Sequence, residues 1–223
     1  MKKNVVSNNV IRRLPRYLRK LDELIGKDIQ RTSSAEFGEM LGLTSSQIRQ
    51  DLSAFGEFGQ QGYGYNPQSL RDQLAAILGM DRDYKVILLG VGNIGRALID
   101  KFSFNDWGFD LVAAFDVEES LIGTEQNGVP ILDSKALPQY LAEHPVDAAV
   151  LCVPRDRAVP AAEQLIRHGV DAIWNFTNME IVEPYSPVIV ENVHFSDSLL
   201  ALSYYLTARR AEKPTEDQTA KVP

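Results

Sequence analysis

The stretch Val86-Ile87-Leu88-Leu89-Gly90-Val91-Gly92-Asn93-Ile94-Gly95 decides the fold of this chain. Its four apolar residues are typical of a buried parallel strand, and three glycines follow in the pattern G-x-G-x-x-G. Gly90 permits a tight turn, Gly92 lets the backbone approach a pyrophosphate, and Gly95 lets the next helix pack closely on the strand. The stretch therefore predicts a βαβ unit whose cofactor-binding loop runs from Gly90 to Gly95.

An acidic residue stands where such a unit needs one. Asp116 ends the apolar segment Leu111–Phe115, 21 residues beyond Gly95. Its carboxylate there would accept hydrogen bonds from ribose hydroxyls and repel a 2′-phosphate. The strand, the glycine loop, the helix and the acid together predict a dinucleotide site that favours NAD(H) over NADP(H).

Apolar runs and helical patterns keep alternating after Asp116. Strand-like runs lie at residues 129–132, 146–153, 172–174 and 188–193, with helical patterns near 134–143 and 157–168. This order predicts an α/β fold, a Rossmann-like doubly wound parallel sheet over residues 84–193. Loops that follow strands in such a sheet lie at its ligand edge. We therefore expect Val153, Pro154, Asn175 and Phe176 at the cofactor.

The charge of the chain is unevenly distributed. The net charge is −7, yet residues 1–31 hold nine Lys and Arg against three acids, whereas residues 84–223 hold eleven basic against twenty acidic residues. A basic N-terminal segment on an acidic body suits a chain that approaches a polyanion in one orientation. A solvated helix surface is the alternative.

Two short helices are predicted after the basic segment. Ser33 with Glu36, and Thr44 with Gln47, have the spacing of capping boxes, and Gly42 separates the two helices. This pattern predicts a helix-turn-helix. A basic helix precedes it, with Pro15 in its first turn and apolar residues at helical spacing: Leu14, Leu18, Leu21 and Ile25.

The second short helix carries side chains that suit DNA. Hydroxyl, amide and guanidinium groups match base edges and phosphates in a major groove, and a helix N-terminus suits phosphate oxygens. A surface helix of a small α-domain is the alternative. The predicted DNA-binding residues here are Ser45, Ser46, Gln47, Arg49 and Gln50, joined by Arg12, Arg13 and Arg16 of the basic helix.

Residues 56–65, Gly-Glu-Phe-Gly-Gln-Gln-Gly-Tyr-Gly-Tyr, predict a tight hairpin, the wing of a winged helix. Tyr63 and Tyr65 alternate with glycine, so we expect both to pack toward the helices. Gln60, Gln61 and Tyr63 are predicted to contact DNA. A linking helix near residues 70–78 then completes a winged helix-turn-helix domain over residues 1–80.

Little in the chain suggests an enzyme. Only about thirty residues follow the last strand, too few for the substrate domain of a typical dehydrogenase. No catalytic group and no metal site is predicted. Residues 194–211 predict a helix with apolar residues around more than half of its circumference, buried against another subunit or on its own sheet. Residues 212–223 are expected to form a disordered tail. The single cysteine, Cys152, excludes an intrachain disulfide and suits the cytoplasm.

Several motifs in fixed order resemble the Rex family of redox-sensing transcriptional repressors. They include Arg13–Tyr17, Thr32–Glu36, Ile48–Gly56, the wing, Gly90–Gly95 and Asn175–Thr177. The resemblance implies a bacterial homodimer, with winged-helix heads, Rossmann bodies and exchanged C-terminal helices, that binds palindromic operators when NADH is scarce and releases them when NADH binds. It also implies that Arg16, Ser46, Gln47, Arg49 and the wing contact DNA, that residues 90–95 and Asp116 hold the dinucleotide, and that Phe195 lies near the nicotinamide.

Two departures and two alternatives accompany this resemblance. Relatives commonly carry Asp where this chain has His194. The wing in many relatives carries Lys or Arg where this chain has Gln60-Gln61, so attraction between wing and phosphate should be weaker here. The first alternative is a small NAD-dependent oxidoreductase with a helical cap. The second is a CoA-binding module, although Asp116 and the phosphate loop argue against it.

Overall fold

The computed structural model describes residues 6–59, 63–181 and 188–211. Two compact units divide the chain. The first, which we call the N-terminal unit, runs to Asp83 and also takes in Phe104–Phe109; the C-terminal unit comprises Tyr84–Ser103 and the chain from Asp110 onward. At Phe104–Phe109 the chain returns to the N-terminal unit. This return requires a glycine at position 108, because φ there is +80° and the backbone of Gly79 leaves no room for a Cβ.

Four helices make up most of the N-terminal unit: α1 (Asn8–Gly26), α2 (Ser34–Leu41), α3 (Ser45–Ser53) and α4 (Pro67–Ile77). Their apolar faces meet in one core, in which the ring of Tyr17 lies edge-on to that of Phe37 at 5.5 Å. Because α1 begins at Asn8, Pro15 lies well inside the helix, and its predicted place in the first turn is wrong. Fully buried residues of this core include Leu14, Leu21, Ile48 and Leu74.

The helix-turn-helix forms as predicted, but only one of its two capping boxes is complete. The Ser33 hydroxyl accepts from the Glu36 N–H at 3.2 Å, and the Glu36 carboxylate accepts from the Ser33 N–H at 2.7 Å. Thr44 accepts from the Gln47 N–H at 3.1 Å, whereas the Gln47 amide donates to Asp51 instead of returning to the cap. The second box is therefore half formed, because a buried carboxylate competes for the Gln47 side chain.

The base of the wing pairs with the chain ahead of α2. Thr32 and Tyr65 form an antiparallel bridge, with N···O distances of 3.0 and 2.8 Å. Tyr65 is 8% exposed in the core, but Tyr63 is 63% exposed, so the expectation that both rings pack inward is wrong. That expectation assumed an extended chain from Tyr63 to Tyr65, but Gly64 between them has a left-handed φ of +72°. Gln60 and Gln61 lie outside the described residues.

A seven-stranded sheet, in the order β3-β4-β2-β1-β5-β6-β7, forms the centre of the C-terminal unit. Strand β1 pairs parallel with β5, β5 with β6, β6 with β7, and β2 with β4, as the alternating pattern predicts; only the short β3 runs antiparallel to its neighbour. The strands are β1 (Tyr84–Leu89), β2 (Phe109–Asp116), β3 (Glu125–Gln126), β4 (Val129–Asp133), β5 (Ala148–Leu151), β6 (Ala172–Asn175) and β7 (Ile189–Asn192).

Helices α5 (Asn93–Lys101), α6 (Leu137–Glu143) and α7 (Arg155–Arg167) connect the strands of the sheet. From β1 the chain first adds β2 and β4 on one side and then returns to add β5 and β6 on the other. This reversal places the ligand crevice of a doubly wound sheet at the carboxyl end of β1.

The last helix, α8 (Phe195–Ala211), has no buried residue within the chain. Leu199, Leu200 and Tyr204 are 66%, 68% and 71% exposed. The alternative in which this helix packs on its own sheet is therefore wrong. Across the part of the chain that the structure describes, no helix combines the length and apolar character needed to cross a bilayer.

Candidate nucleotide and nucleic-acid sites

The three glycines of the loop after β1 occupy different environments. Gly90 has φ +94°, and a Cβ there would come within 2.7 Å of the Cys152 carbonyl oxygen on the neighbouring strand end. A Cβ on Gly95 would overlap the Gly90 carbonyl oxygen. Gly92 has nothing within 4 Å of its Cβ position. Gly90 and Gly95 therefore shape the loop, and Gly92 keeps it open to an approaching group.

The start of α5 offers backbone donors at this opening. Gly92 is its N-cap and provides no side-chain acceptor, and Gly92, Asn93 and Ile94 are all exposed. Unpaired N–H groups at a helix N-terminus suit the oxygens of a pyrophosphate. Val91 differs, because its side chain is buried and its N–H is already donated to Asp116.

Asp116 is oriented by three backbone donors at the carboxyl end of β2. Its Oδ2 accepts from the Val91 N–H at 2.5 Å, and its Oδ1 accepts from the N–H groups of Val117 and Glu118 at 2.8 and 3.0 Å. A carboxylate oxygen carries two lone-pair sites, so Oδ2 keeps one acceptor position for a ribose hydroxyl. The negative charge stays beside the loop, where it opposes a 2′-phosphate.

A cavity of about 600 Å³ adjoins Gly90 and Asp116. Its volume lies in the range of small-molecule sites. Val153 and Pro154, which the sequence predicts at the cofactor, line this cavity. The sequence interpretation missed Lys135, Arg157 and Gln164, which also line it. Lys135 follows the carboxyl end of β4, the neighbour of β2, so the topology of the sheet was the signal that would have found it.

Asn175 and Phe176, at the end of β6, do not line that cavity. The Asn175 amide is buried and donates to the Met179 carbonyl at 2.6 Å and to Asn192 at 2.7 Å, while its oxygen accepts from Thr177. The side chain therefore joins the loops at this end of the sheet, and a contact of Asn175 with the cofactor stays a prediction. The ring of Phe176 lies between those of Trp174, at 4.6 Å, and Phe195, at 6.2 Å.

Cys152 lies beside the glycine loop but is not prepared for thiolate chemistry. Burial raises the pKa of its thiol to about 12, so the thiol stays protonated at neutral pH. Among residues 6–59, 63–181 and 188–211, no group of three or more His, Cys, Asp or Glu side chains is arranged to hold a metal ion.

Among the described residues, no carboxylate forms an ion pair with Arg49 on α3. The Arg49 guanidinium donates to the hydroxyls of Ser34, at 2.9 Å, and Ser46, at 3.3 Å. These neutral partners orient the group and leave its charge available. Ser46, Arg49 and Gln50 are exposed and Ser45 is half-buried, an arrangement suited to a nucleic acid.

Two predicted DNA contacts are tied to a buried carboxylate instead. Arg13 donates to both oxygens of Asp51, at 2.6 and 2.8 Å, and the Gln47 amide donates to Asp51 at 2.7 Å. Asp51 is fully buried and also accepts from the Tyr17 hydroxyl at 2.6 Å. Arg13 and Gln47 therefore join α1 to α3, and any contact of theirs with DNA stays a prediction.

Three further predicted DNA-binding residues lie at the surface: Arg12, Arg16 and Tyr63. Arg12 and Arg16 are exposed on α1, and Arg16 donates to the Leu41 carbonyl at 2.9 Å, which caps the end of α2. Tyr63 lies beneath the guanidinium of Arg31, whose central carbon is 5.3 Å from the ring centroid. The sequence interpretation gave Arg31 no role.

Comparisons with known proteins identify the family of the chain. Residues 5–53 match a family model described as "Putative DNA-binding protein N-terminus", and residues 81–179 match one described as "CoA binding domain". The chain is 45% identical over 221 residues to the redox-sensing transcriptional repressor Rex of Thermoanaerobacter sp. (strain X514), covering 99% of this chain and 98% of that protein. It is 50% identical over 201 residues to Rex of Clostridium beijerinckii, covering 90% and 95%.

Solved structures of similar proteins point to the same family. The chain is similar to RSP in complex with beta-NAD+ and operator DNA, with a TM-score of 0.86 and 45% identity over 97% of this chain and 100% of that one. It is also similar to RSP in complex with beta-NADH, with a TM-score of 0.85 and 42% identity over 93% and 97%. RSP is described as a Rex-family repressor. With this identity over nearly its whole length, the chain belongs to the Rex family of redox-sensing transcriptional repressors.

Proposed function

We propose that this chain is a transcriptional repressor that binds palindromic operator DNA through its N-terminal unit and is released when NADH binds to its C-terminal unit. One observation carries the proposal: each unit holds its own binding surface. Helix α3 presents Arg49 among neutral partners, and the loop at Gly92 is open beside an oriented Asp116. The family consists of regulators rather than enzymes, so the dinucleotide is a signal here and not a reactant.

Discrimination between the two redox forms must arise at the nicotinamide end. The nicotinamide ring is neutral in NADH and positively charged in NAD+, while the adenosine halves are identical. We assign Phe176 and Phe195 to this end, because both follow strands at the ligand edge of the sheet and their rings approach each other. A site from which apolar side chains exclude water favours a neutral group over a charged one, since the charged group loses its hydration there.

We also propose that two copies associate through α8. Its leucines and tyrosines are largely exposed in the single chain, and an apolar surface of this extent is typical of an interface. A two-fold symmetric dimer suits a palindromic operator, because each half-site then meets one N-terminal unit. A repressor of this kind acts where the chromosome lies, which in a bacterium is the cytoplasm.

A titration on DNA tests the proposal. Fluorescence anisotropy of labelled candidate palindromes would measure operator affinity alone, with NADH, with NAD+ and with CoA. We expect one palindrome to bind, NADH to release it, and CoA to have no effect, because Asp116 selects a ribose with free hydroxyls. Operator affinity that persists at saturating NADH would overturn the proposal.

A further inference from the structure

The wing, residues 56–65, contains no Lys or Arg. A wing that flanks DNA nevertheless meets a phosphate backbone, to which cations supply most of the non-specific affinity. A cation that is not part of the wing does contact it. The guanidinium of Arg31 lies over the ring of Tyr63, with its central carbon 5.3 Å from the ring centroid.

Backbone pairing holds Arg31 in this position. The next residue, Thr32, forms the antiparallel bridge with Tyr65, and the carbonyl of the preceding residue, Gln30, accepts from the Asn66 amide at 3.3 Å. Both neighbours of Arg31 are therefore held, one by Tyr65 at the end of the wing and the other by Asn66 directly after it. Its exposed side chain can reach Tyr63 without distorting the backbone.

The charge of Arg31 is not neutralised by the protein. Within the described ranges no carboxylate forms an ion pair with it, whereas Arg13 is paired with Asp51, Lys20 with Glu23 and Arg71 with Asp22. Stacking on a ring uses the flat face of a guanidinium and leaves the N–H groups at its edge available. Such an edge matches the two oxygens of a phosphate.

Arg31 also lies close to the surface that presents α3. Ser34, three residues further along the chain, accepts from Arg49 at 2.9 Å, and three extended residues span at most about 10 Å. A groove lined by Ser33, Ser34, Arg49, Gly59 and Gly64 runs between α3 and the wing. Arg31 thus lies two residues along the chain from Ser33, which lines the same groove as Arg49.

We propose that Arg31 is a DNA-phosphate contact of the wing, and that Tyr63 is the residue that positions it. The wing of this chain thereby obtains from Arg31 the positive charge that its own sequence lacks. The contact is with the backbone and carries no sequence preference, because base edges are left to α3. This inference rests on the proposed operator binding.

The salt dependence of operator affinity tests it. Each phosphate contact contributes about 0.9 to the slope of log affinity against log salt. We expect Arg31→Gln to make the slope shallower by about 0.9 for each bound protomer and Arg31→Lys to keep it. The matched control is Arg82→Gln, which removes an exposed arginine next to Asp81. It should leave the slope unchanged.

Two variants of Tyr63 separate charge from position. Tyr63→Phe keeps the ring and should bind like the wild type, while Tyr63→Leu should lose about two- to five-fold in affinity with an unchanged slope. An unchanged slope in Arg31→Gln, or an equal change in Arg82→Gln, would overturn the inference while leaving the proposed function intact. Failure of the wild-type protein to bind any operator would instead overturn the proposed function.

Discussion

Asp51 is a fully buried carboxylate that joins two helices of the N-terminal unit. Burial by itself raises its pKa, yet hydrogen bonds from Arg13, Tyr17 and Gln47 outweigh that effect and hold the pKa of Asp51 below its ordinary value. The same carboxylate, together with burial, raises the pKa of the Tyr17 hydroxyl. Because Gln47 and Asp51 both belong to α3, this cluster determines how α3, the proposed DNA-binding helix, is seated on α1.

We expect Asp51→Asn to lower the free energy of unfolding of the N-terminal unit by about 2–4 kcal/mol, because the partly buried Arg13 then loses its charged partner. Urea denaturation monitored by circular dichroism would measure the loss. Asp72→Asn is the control: Asp72 is an exposed carboxylate on α4, so the change should cost less than about 0.5 kcal/mol. Equal losses in the two variants would contradict the role of Asp51.

The lowered pKa of Asp51 predicts that the stability of the N-terminal unit depends on pH. A carboxylate whose pKa is lower in the folded than in the unfolded state stabilises the fold at pH values above its unfolded-state pKa, about 3.9. That contribution is lost as the pH falls through the folded-state pKa. The stability difference between wild type and Asp51→Asn should therefore be constant near neutral pH and shrink below about pH 4. A difference that stays the same at pH 3 would contradict the lowered pKa.

Gly92 and Gly95 give opposite predictions, although they stand three positions apart. Gly92→Ala adds a Cβ in open space at an ordinary φ of −76°, so stability should be unchanged while NADH affinity falls at least about ten-fold. Gly95→Ala places its Cβ on the Gly90 carbonyl and should destabilise the C-terminal unit by about 1–3 kcal/mol. Thermal unfolding and calorimetric titration with NADH would measure both. Wild-type NADH affinity in Gly92→Ala would show that no phosphate approaches there.

At the scale of elements, α8 shows how a helix can form without a core of its own. Its apolar residues point in all directions and none is buried by the rest of the chain. A lone helix of this length is marginal in water, since most helical stability comes from packing. In the proposed dimer, a second copy supplies that packing.

We expect Leu199→Glu to dissociate the proposed dimer, because it would place an unpaired carboxylate in the interface; the dissociation constant should rise at least about a hundred-fold. Sedimentation velocity over a range of concentrations would measure this. Val159→Glu, on α7, is the matched control for adding an acid to an exposed apolar position, and it should leave the dimer intact. A Leu199→Glu protein that sediments like the wild type would exclude α8 as the interface.

For the whole molecule, the proposed switch is a coupling between two ligands on one chain. Thermodynamic linkage requires that operator DNA weaken NADH binding by the same factor by which NADH weakens operator binding. Couplings of this kind are typically about 5- to 150-fold. The two factors can be compared by measuring NADH affinity with and without saturating operator, and operator affinity with and without NADH. Unequal factors would indicate a further state or a second NADH site.

Variants should divide the two functions of the molecule. Arg49→Ala should abolish operator binding with NADH affinity unchanged, whereas Gly92→Ala should bind the operator and need at least about ten-fold more NADH for its release. Anisotropy on DNA and calorimetry with NADH would test both variants. Loss of both activities in Arg49→Ala would show a folding defect instead of a lost DNA contact.

Much of the architecture was predictable, because its signals are local in the chain. The glycine loop, the first capping box, the alternation of strands and helices, and the unusual apolar surface of α8 each arise from neighbouring residues. The errors have a common origin. Pro15, the second capping box and the inward orientation of Tyr63 were inferred from local spacing, and each was overridden by a longer helix, a competing carboxylate or a left-handed glycine.

The sequence alone determined that a dinucleotide loop follows a helix-turn-helix, because the required glycines, caps and apolar periods lie within a few residues of one another. Only the tertiary structure decided which polar groups meet. Arg13 and Asp51 are 38 residues apart, and Arg31 and Tyr63 are 32 apart. Whether such groups bind DNA or each other depends on how the helices and the wing pack. That packing is a property of the assembled core and not of any local pattern.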